Sequence, residues 1–366
     1  MAVATSLGAS LAACGGSQGA NTSTPSPAVP TASATPVVRT PLVAVLDHPF
    51  GAAPNTLRLL HLDGREVAHV TLDPDAEALT TAGSTVLVAG AGQVRAMSGS
   101  GAVTAQVSLP SNATPDLVRG LVGDGSGTRW MWSAVAQSGG IAVTRLYQSG
   151  PTGPPTLVMS RQGSGTALQP VAWSSAGPVV AEEPLGIGGY VLFRRTFGAA
   201  GLLDVTTQSV RPLADADCAY SDLAADSTVA CVLGGREGPT HGSGPVTLRL
   251  LRSGGRPPLD VPLPASVAQA GAAFFSPDGT SLSLAMSPAL GEGQEQIETD
   301  LVDVATGTRH VFGPAGLIPT GWLPDGRLVA VRLPGVAGGD VGTYVVDRDG
   351  KATLVCAAST VVGILR

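Results

Sequence analysis

Two stretches of this chain spell the same structural instruction. Phe274–Ala285 reads FFSPDGTSLSLA and Gly321–Val331 reads GWLPDGRLVAV. An aromatic, a Pro-Asp-Gly corner and an alternating apolar run therefore occur twice, at a spacing of about 47 residues. The corner has a local chemistry: Pro presets φ, Asp bonds the backbone ahead of it, and Gly accepts a positive φ. A unit recurring at such a period cannot bury its apolar face alone and must stack on copies of itself. The short alternating runs between turns select strands as the content of that unit.

The first of the two units resolves into four strands, here a to d. Strand a ends at Phe275, Pro277–Gly279 make the turn, and Ser281–Met286 form strand b. Asp300–Val304 form strand c, Thr306 and Gly307 turn, and Arg309–Phe312 form strand d. The next unit repeats the order with GWLPDGRLVAV, GTYVVDRDG and KATLV. Four antiparallel strands in roughly 45 residues make the blade of a β-propeller. Weaker copies lie near residues 77–110, 115–160, 168–213 and 216–264. The opening unit, LVAVLD, TLRLLHLDG and EVAHVTL, supplies only three strands, while TVVGIL (Thr360–Leu365) has no blade of its own. The sequence thus predicts an all-β, seven-bladed propeller of four-stranded antiparallel blades over residues 41–366. Its ring closes when the C-terminal strand pairs into the first blade, which removes exposed strand edges. The 49 Gly and 29 Pro supply the many turns this plan requires.

These units resemble the WD-like propeller repeats of the TolB type, whose signature is Ser-Pro-Asp-Gly, an apolar strand, then a strand ending in Asp-x-x-x-Gly. The signature is complete at Ser276–Gly279 with Asp303–Gly307 and partial at Pro324–Gly326 with Asp347–Gly350. The other five units lack the full pattern, and TolB's N-terminal domain has no counterpart here. The resemblance implies the propeller architecture and no particular partner.

The opening MAVATSLGASLAACGGS is apolar and rich in small residues, ending in Leu11, Ala12, Ala13 and Cys14. It resembles the lipobox of bacterial lipoproteins, which implies removal of residues 1–13 as a signal peptide and acylation of Cys14. No Lys or Arg precedes the apolar stretch, and that stretch is short for a signal peptide, a departure that an upstream translation start would remedy. Residues 14–40, dominated by Ser, Thr, Pro, Ala and Gly, bury too little to fold and read as an extended tether. No apolar run elsewhere reaches the ~18 residues of a spanning segment. The expectation is an extracytoplasmic protein, lipid-anchored to the bacterial cell membrane, monomeric, with a protein partner in the envelope. A net charge of −6 with no basic stripe argues against nucleic acid.

Loop lengths point to a working face. The a-to-b and c-to-d turns are short, whereas b-to-c connections such as DHPFGAAPNT, GGREGPTHGSGP, SPALGEGQEQIET and PGVAGGDVG are long. In a propeller the b-to-c and d-to-a connections share one face, and binding residues concentrate on elaborated loops held by a rigid scaffold. That face should carry Asp47, His48 and Phe50, then Glu182 and Glu183, then Arg236, Glu237 and His241. Glu292, Glu295, Glu298 and Asp340 complete it as an acidic rim able to hold a cation, an amine or a basic surface. No Asp-x-Asp-x-Asp-Gly loop accompanies the three glutamates, so no metal site is assigned. His61, His69 and His310 read as residues of strands c or d. Motifs for a cofactor, a Walker loop, Cys-x-x-Cys and His-Glu-x-x-His are absent, and the single Gly-x-Ser-x-Gly, Gly15–Gly19, falls in the tether. These features predict a non-catalytic binding scaffold without cofactor. The alternative is a propeller enzyme, of hydrolase, lyase or cyclotransferase type, with its site at the channel mouth.

Of four cysteines, Cys14 is assigned to lipid. Cys218 and Cys231 flank the turn at Ala224–Ser227 in neighbouring antiparallel strands, at similar distances from its centre, so they should form a disulfide in an exported protein. Cys356 should remain a thiol.

Overall fold

A computed structural model describes residues 40–47, 55–110, 117–185, 198–214, 217–234, 245–288, 296–358 and 360–366. Blade one is begun by β1 (Leu42–Asp47), β2 (Thr56–Leu60) and β3 (Glu66–Thr71). Blade two holds β4 (Ala76–Ala82), β5 (Thr85–Gly90), β6 (Gln93–Ser98) and β7 (Val103–Ser108). Blade three holds β8 (Leu117–Gly123), β9 (Trp130–Ser138), β10 (Ile141–Ser149) and β11 (Thr156–Ser164). Blade four holds β12 (Thr166–Ser174), β13 (Gly177–Pro184), β14 (Ala200–Asp204) and β15 (Ser209–Ala214). Blade five holds β16 (Ala219–Leu223), β17 (Val229–Leu233), β18 (Thr247–Leu251) and β19 (Leu259–Pro262). Blade six holds β20 (Gln269–Phe275), β21 (Ser281–Ser287), β22 (Glu298–Asp303) and β23 (Arg309–Val311). Blade seven holds β24 (Ile318–Trp322), β25 (Leu328–Arg332), β26 (Gly342–Val346) and β27 (Ala352–Cys356). The last strand, β28 (Thr360–Leu365), pairs antiparallel with β1 and gives blade one the order β28-β1-β2-β3. The seven-bladed, all-β plan is therefore the fold, and among the described residues there is no helix.

The first strands β28, β4, β8, β12, β16, β20 and β24 each touch the next and close the inner ring. Burial explains how each strand class reads in sequence. The second strands lie between neighbouring blades with both faces covered, so β1, β5, β17 and β25 are near-continuous apolar runs. The fourth strands form the rim and leave residues such as Val67, Val103 and Leu354 exposed. Among the described residues there is no single core. Apolar layers fill the gaps between blades instead: Ala44, Leu57, Val86 and Met97 join blades one and two, while Ala230, Leu248, Leu282 and Val302 join five and six.

Every first strand slips register against its second strand, leaving unpaired residues at Val362, Glu77, Gly120, Val171, Ser221, Ala272 with Ala273, and Thr320. Such bulges bend a strand and re-aim the side chains beside it. Here they recur all round the inner ring. The b-to-c connections are long in five blades only. Blades two and three use two residues each, Ala91–Gly92 and Gly139–Gly140, the latter with φ of 58° and 79°. Consecutive positive φ values match the twist of a tight hairpin, which is why a Gly pair suffices there.

Candidate functional site

On the long-loop face the structure places five of the expected acids. Asp47 ends β1 and lies 3.5 Å from Arg58, whose Nε bonds Glu66 at 2.7 Å; Glu66 in turn meets His69 at 2.8 Å. This charge chain crosses β1, β2 and β3. The hydrogen bonds from His69 and Arg58 hold the Glu66 carboxyl below its ordinary range. Glu182 and Glu183 are successive residues of β13, so they face opposite sides of the sheet. Accordingly Glu182 takes Arg161 of β11 at 2.5 Å and Glu183 takes Arg119 of β8 at 3.2 Å. Glu298 is exposed at the start of β22. Asp340 is exposed in the β25–β26 connection, where its backbone carbonyl accepts the Tyr344 hydroxyl at 2.6 Å.

These acids come from blades one, four, six and seven, and they do not converge. Among the described residues no group of three or more His, Cys, Asp or Glu side chains is placed to hold a metal. His48, Phe50, Arg236, Glu237, His241, Glu292 and Glu295, like Cys14, lie outside the described residues. His69 and His310 lie on fourth strands as expected, but His61 falls just after β2, in the turn toward β3.

The structure adds partners that the sequence did not disclose. Arg332, which ends β25, is only 4% exposed. Its guanidinium donates to the Ala315 carbonyl at 2.8 Å and lies over the Tyr344 ring at 5.3 Å. It therefore fastens the β23–β24 connection to the β25–β26 loop with carbonyl dipoles and a π face. Nothing in LVAVR marks that arginine as buried.

Asp222 is the second such case. It follows the bulge in β16 and accepts the N–H of Phe275, in the next blade, at 2.8 Å. Burial pushes its carboxyl up to about 6, against the opposing pull of the Phe275 and Leu223 N–H donors. The Cys218–Cys231 disulfide is present, with Cα atoms 5.3 Å apart, and Cys356 is free. The register pairs Cys231 with Tyr220, so the bridge runs diagonally between strands and not between directly opposed residues.

A polar cavity of about 560 Å³ lies at the opposite, short-turn face. The first strands of blades one, two, three, four and seven and the a-to-b turns of blades two and three meet there. Thr81, Ser84, Ser126 and Thr320 line it with hydroxyls, beside Trp173 and Arg366. Asp124 also borders it, but that carboxylate is consumed by Ser126, the Thr128 and Arg129 backbone N–H groups and Arg129 Nε. The channel mouth on this face therefore offers hydrogen-bond donors and acceptors but no free acid from Asp124.

Solved structures share the architecture. Oligogalacturonate lyase from Vibrio parahaemolyticus is similar with a TM-score of 0.55 and 10% identity, over 85% of this chain and 88% of its own. Acylaminoacyl peptidase from Pyrococcus horikoshii gives 0.54 and 11% identity over 87% of this chain, which spans 51% of the peptidase. TolB from Acinetobacter baumannii gives 0.46 and 13% identity, over 89% of this chain and 82% of its own. No family model matches the sequence, and no curated protein matches it. At such identities the likeness is one of fold, and by fold this chain is a seven-bladed β-propeller.

Proposed function

We propose that this protein is a non-catalytic, extracytoplasmic lipoprotein, tethered through Cys14, whose long-loop face binds an envelope protein or a small ligand. The observation that carries this reading is how the acids of that face are used. Asp47 answers an arginine of the adjacent strand in blade one, while Glu182 and Glu183, on opposite faces of β13 in blade four, each answer an arginine of blade three. A general acid or base must stand within hydrogen-bond reach of the proton it transfers and be free to transfer it. These carboxylates instead brace the sheets that carry the loops. A disulfide suits an oxidising compartment and supports export. The lyase and the peptidase show that this fold also hosts enzymes, and fold by itself conveys no chemistry.

The test uses the full chain expressed with a complete export signal. Cys14→Ser should move it from the membrane to the soluble fraction. Cross-linking in cells should capture a partner or ligand that is lost when the 333–341 loop and its long counterparts are shortened. Turnover of an ester, lactone or polyuronide substrate, abolished by one acid substitution, would overturn the reading.

A further inference from the structure

Between blades three and four, on the short-turn face, a groove of about 490 Å³ is lined by Arg129, Gln148, Trp173, Asp204, Ser209 and Arg211. Two guanidinium groups border it. Arg129 is held flat: its Nε bonds Asp124 at 3.0 Å and its guanidinium lies 5.1 Å from the centre of the Trp173 ring. Both Nη groups are left without a partner among the described residues. Arg211 projects from the rim strand β15, exposed and likewise without a partner among the described residues. Asp204 accepts the N–H groups of Thr206 and Thr207 at 2.8 and 3.2 Å, which hold its carboxyl below the ordinary range. A carboxylate offers about four lone-pair sites, so Asp204 keeps acceptor capacity for a hydroxyl.

The repeat supplies an internal comparison. The corresponding groove between blades six and seven is smaller, about 330 Å³, and its polar groups are satisfied from within. Trp322 donates its indole N–H to the Phe274 carbonyl at 2.9 Å and packs on Phe312 with ring centres 6.4 Å apart. Arg348 is spent on the Asp325 carbonyl at 2.5 Å. In blade four, Asp204 occupies the place of Asp347, and Val205 that of Arg348, so no arginine arm closes the groove. The Trp173 indole N–H, the counterpart of the Trp322 donor, is buried without an acceptor.

We infer that the groove between blades three and four is a binding site for a small polyhydroxylated anion, a sugar acid or a sugar phosphate. The Arg129 and Arg211 forks receive its carboxylate or phosphate, since guanidinium geometry matches both. Asp204 and Gln148 receive its hydroxyls. A bare anion meets the Asp204 carboxylate with nothing to offer it, and a neutral sugar leaves both arginines unanswered. This site is on the face opposite the long loops and does not rest on the function proposed above.

Trp173 is the reporter: Trp130 and Trp132 are fully buried and Trp322 is 5% exposed, whereas Trp173 is half-buried at the groove. The full chain is titrated with glucuronate, glucose 6-phosphate, glucose and inorganic phosphate while tryptophan fluorescence is followed. At least one of the two anionic sugars should give a saturable change with a submillimolar Kd, and which of them binds tighter identifies the anion. Glucose and phosphate should bind at least tenfold more weakly. Arg211→Gln, at an exposed position, should weaken binding at least tenfold. Trp173→Phe should silence the fluorescence change while calorimetry still detects binding. The inference is overturned by no saturable change with either anionic sugar, by inorganic phosphate binding as tightly as both, or by Arg211→Gln binding like the parent.

Discussion

Replacing Asp222 with Asn should make this protein more stable at neutral pH. Burial lifts the Asp222 carboxyl from 3.8 to about 6. One pKa unit corresponds to 1.36 kcal/mol, so a rise of about two units disfavours the ionised form in the folded chain by roughly 3 kcal/mol. The folded protein holds this proton more tightly than the unfolded chain does. Its contribution is therefore complete below about 3.8 and is lost as pH rises through about 6. Asn carries no charge and retains an oxygen for the Phe275 N–H. The figure of roughly 3 kcal/mol is already net of the Phe275 and Leu223 N–H bonds, which favour the ionised form, and partial solvent contact trims it. The net expectation is a gain of about 2 kcal/mol at pH 7.5 and a change of no more than about 0.5 kcal/mol at pH 3.5, where Asp222 is protonated in the folded and mostly in the unfolded chain. Urea unfolding followed by tryptophan fluorescence at both pH values measures the difference. A variant weaker than the parent at pH 7.5 and equal to it at the acid pH would refute burial as the governing effect, and would show that the carboxylate's bond to Phe275 dominates.

Deleting residues 360–366 removes β28 and uncovers the inner edge of β1, so the truncated chain should melt many degrees lower or become insoluble; one that melts with the intact chain would defeat the closure argument. Cys218→Ser with Cys231→Ser should cost roughly 3 kcal/mol, the entropy of a loop of about 14 residues, read from denaturant midpoints. Thiol titration of denatured, unreduced protein should find Cys356 as the one free thiol among Cys218, Cys231 and Cys356. Ser227 holds a φ of 70° in the turn where Gly279 and Gly326 stand in later blades. Ser227→Gly should therefore stabilise by about 1 kcal/mol, measured as a shift in urea midpoint without a change in slope.

The blade count was legible because turn chemistry punctuates it, and the odd strand TVVGIL announced its own destination. The turn signature was harder to see where other residues take the place of glycine. DVTTQ, Asp204–Gln208, folds like DVATG, Asp303–Gly307: each Asp accepts N–H groups ahead of it, and Gln208 adopts a φ of 55°. A pattern search that requires Gly misses that turn. The bulges were not legible, since a register slip depends on how the first strand meets the next blade and leaves no mark on its alternation. The site fared similarly. The acids Asp47, Glu182 and Glu183 are visible in the sequence, but their partners Arg58, Arg161 and Arg119 stand 11, 21 and 64 residues away. Burial of Arg332 and Asp222 depends on contacts with a neighbouring connection and a neighbouring blade, which composition and periodicity do not encode.

The chain enters the ring through β1, and β1 is an interior strand, hydrogen-bonded to β28 on one side and to β2 on the other. Any pull exerted on the polypeptide ahead of residue 40 thus arrives at a strand gripped along both edges. A strand at the rim would peel away one hydrogen bond at a time. Extracting β1 along its own axis requires two antiparallel ladders to slide together while Val43, Ala44, Val45 and Leu46 leave the layers on either side. Ring closure by the C-terminal strand is therefore also a mechanical clamp, placed where an attachment at the N-terminus would deliver its load.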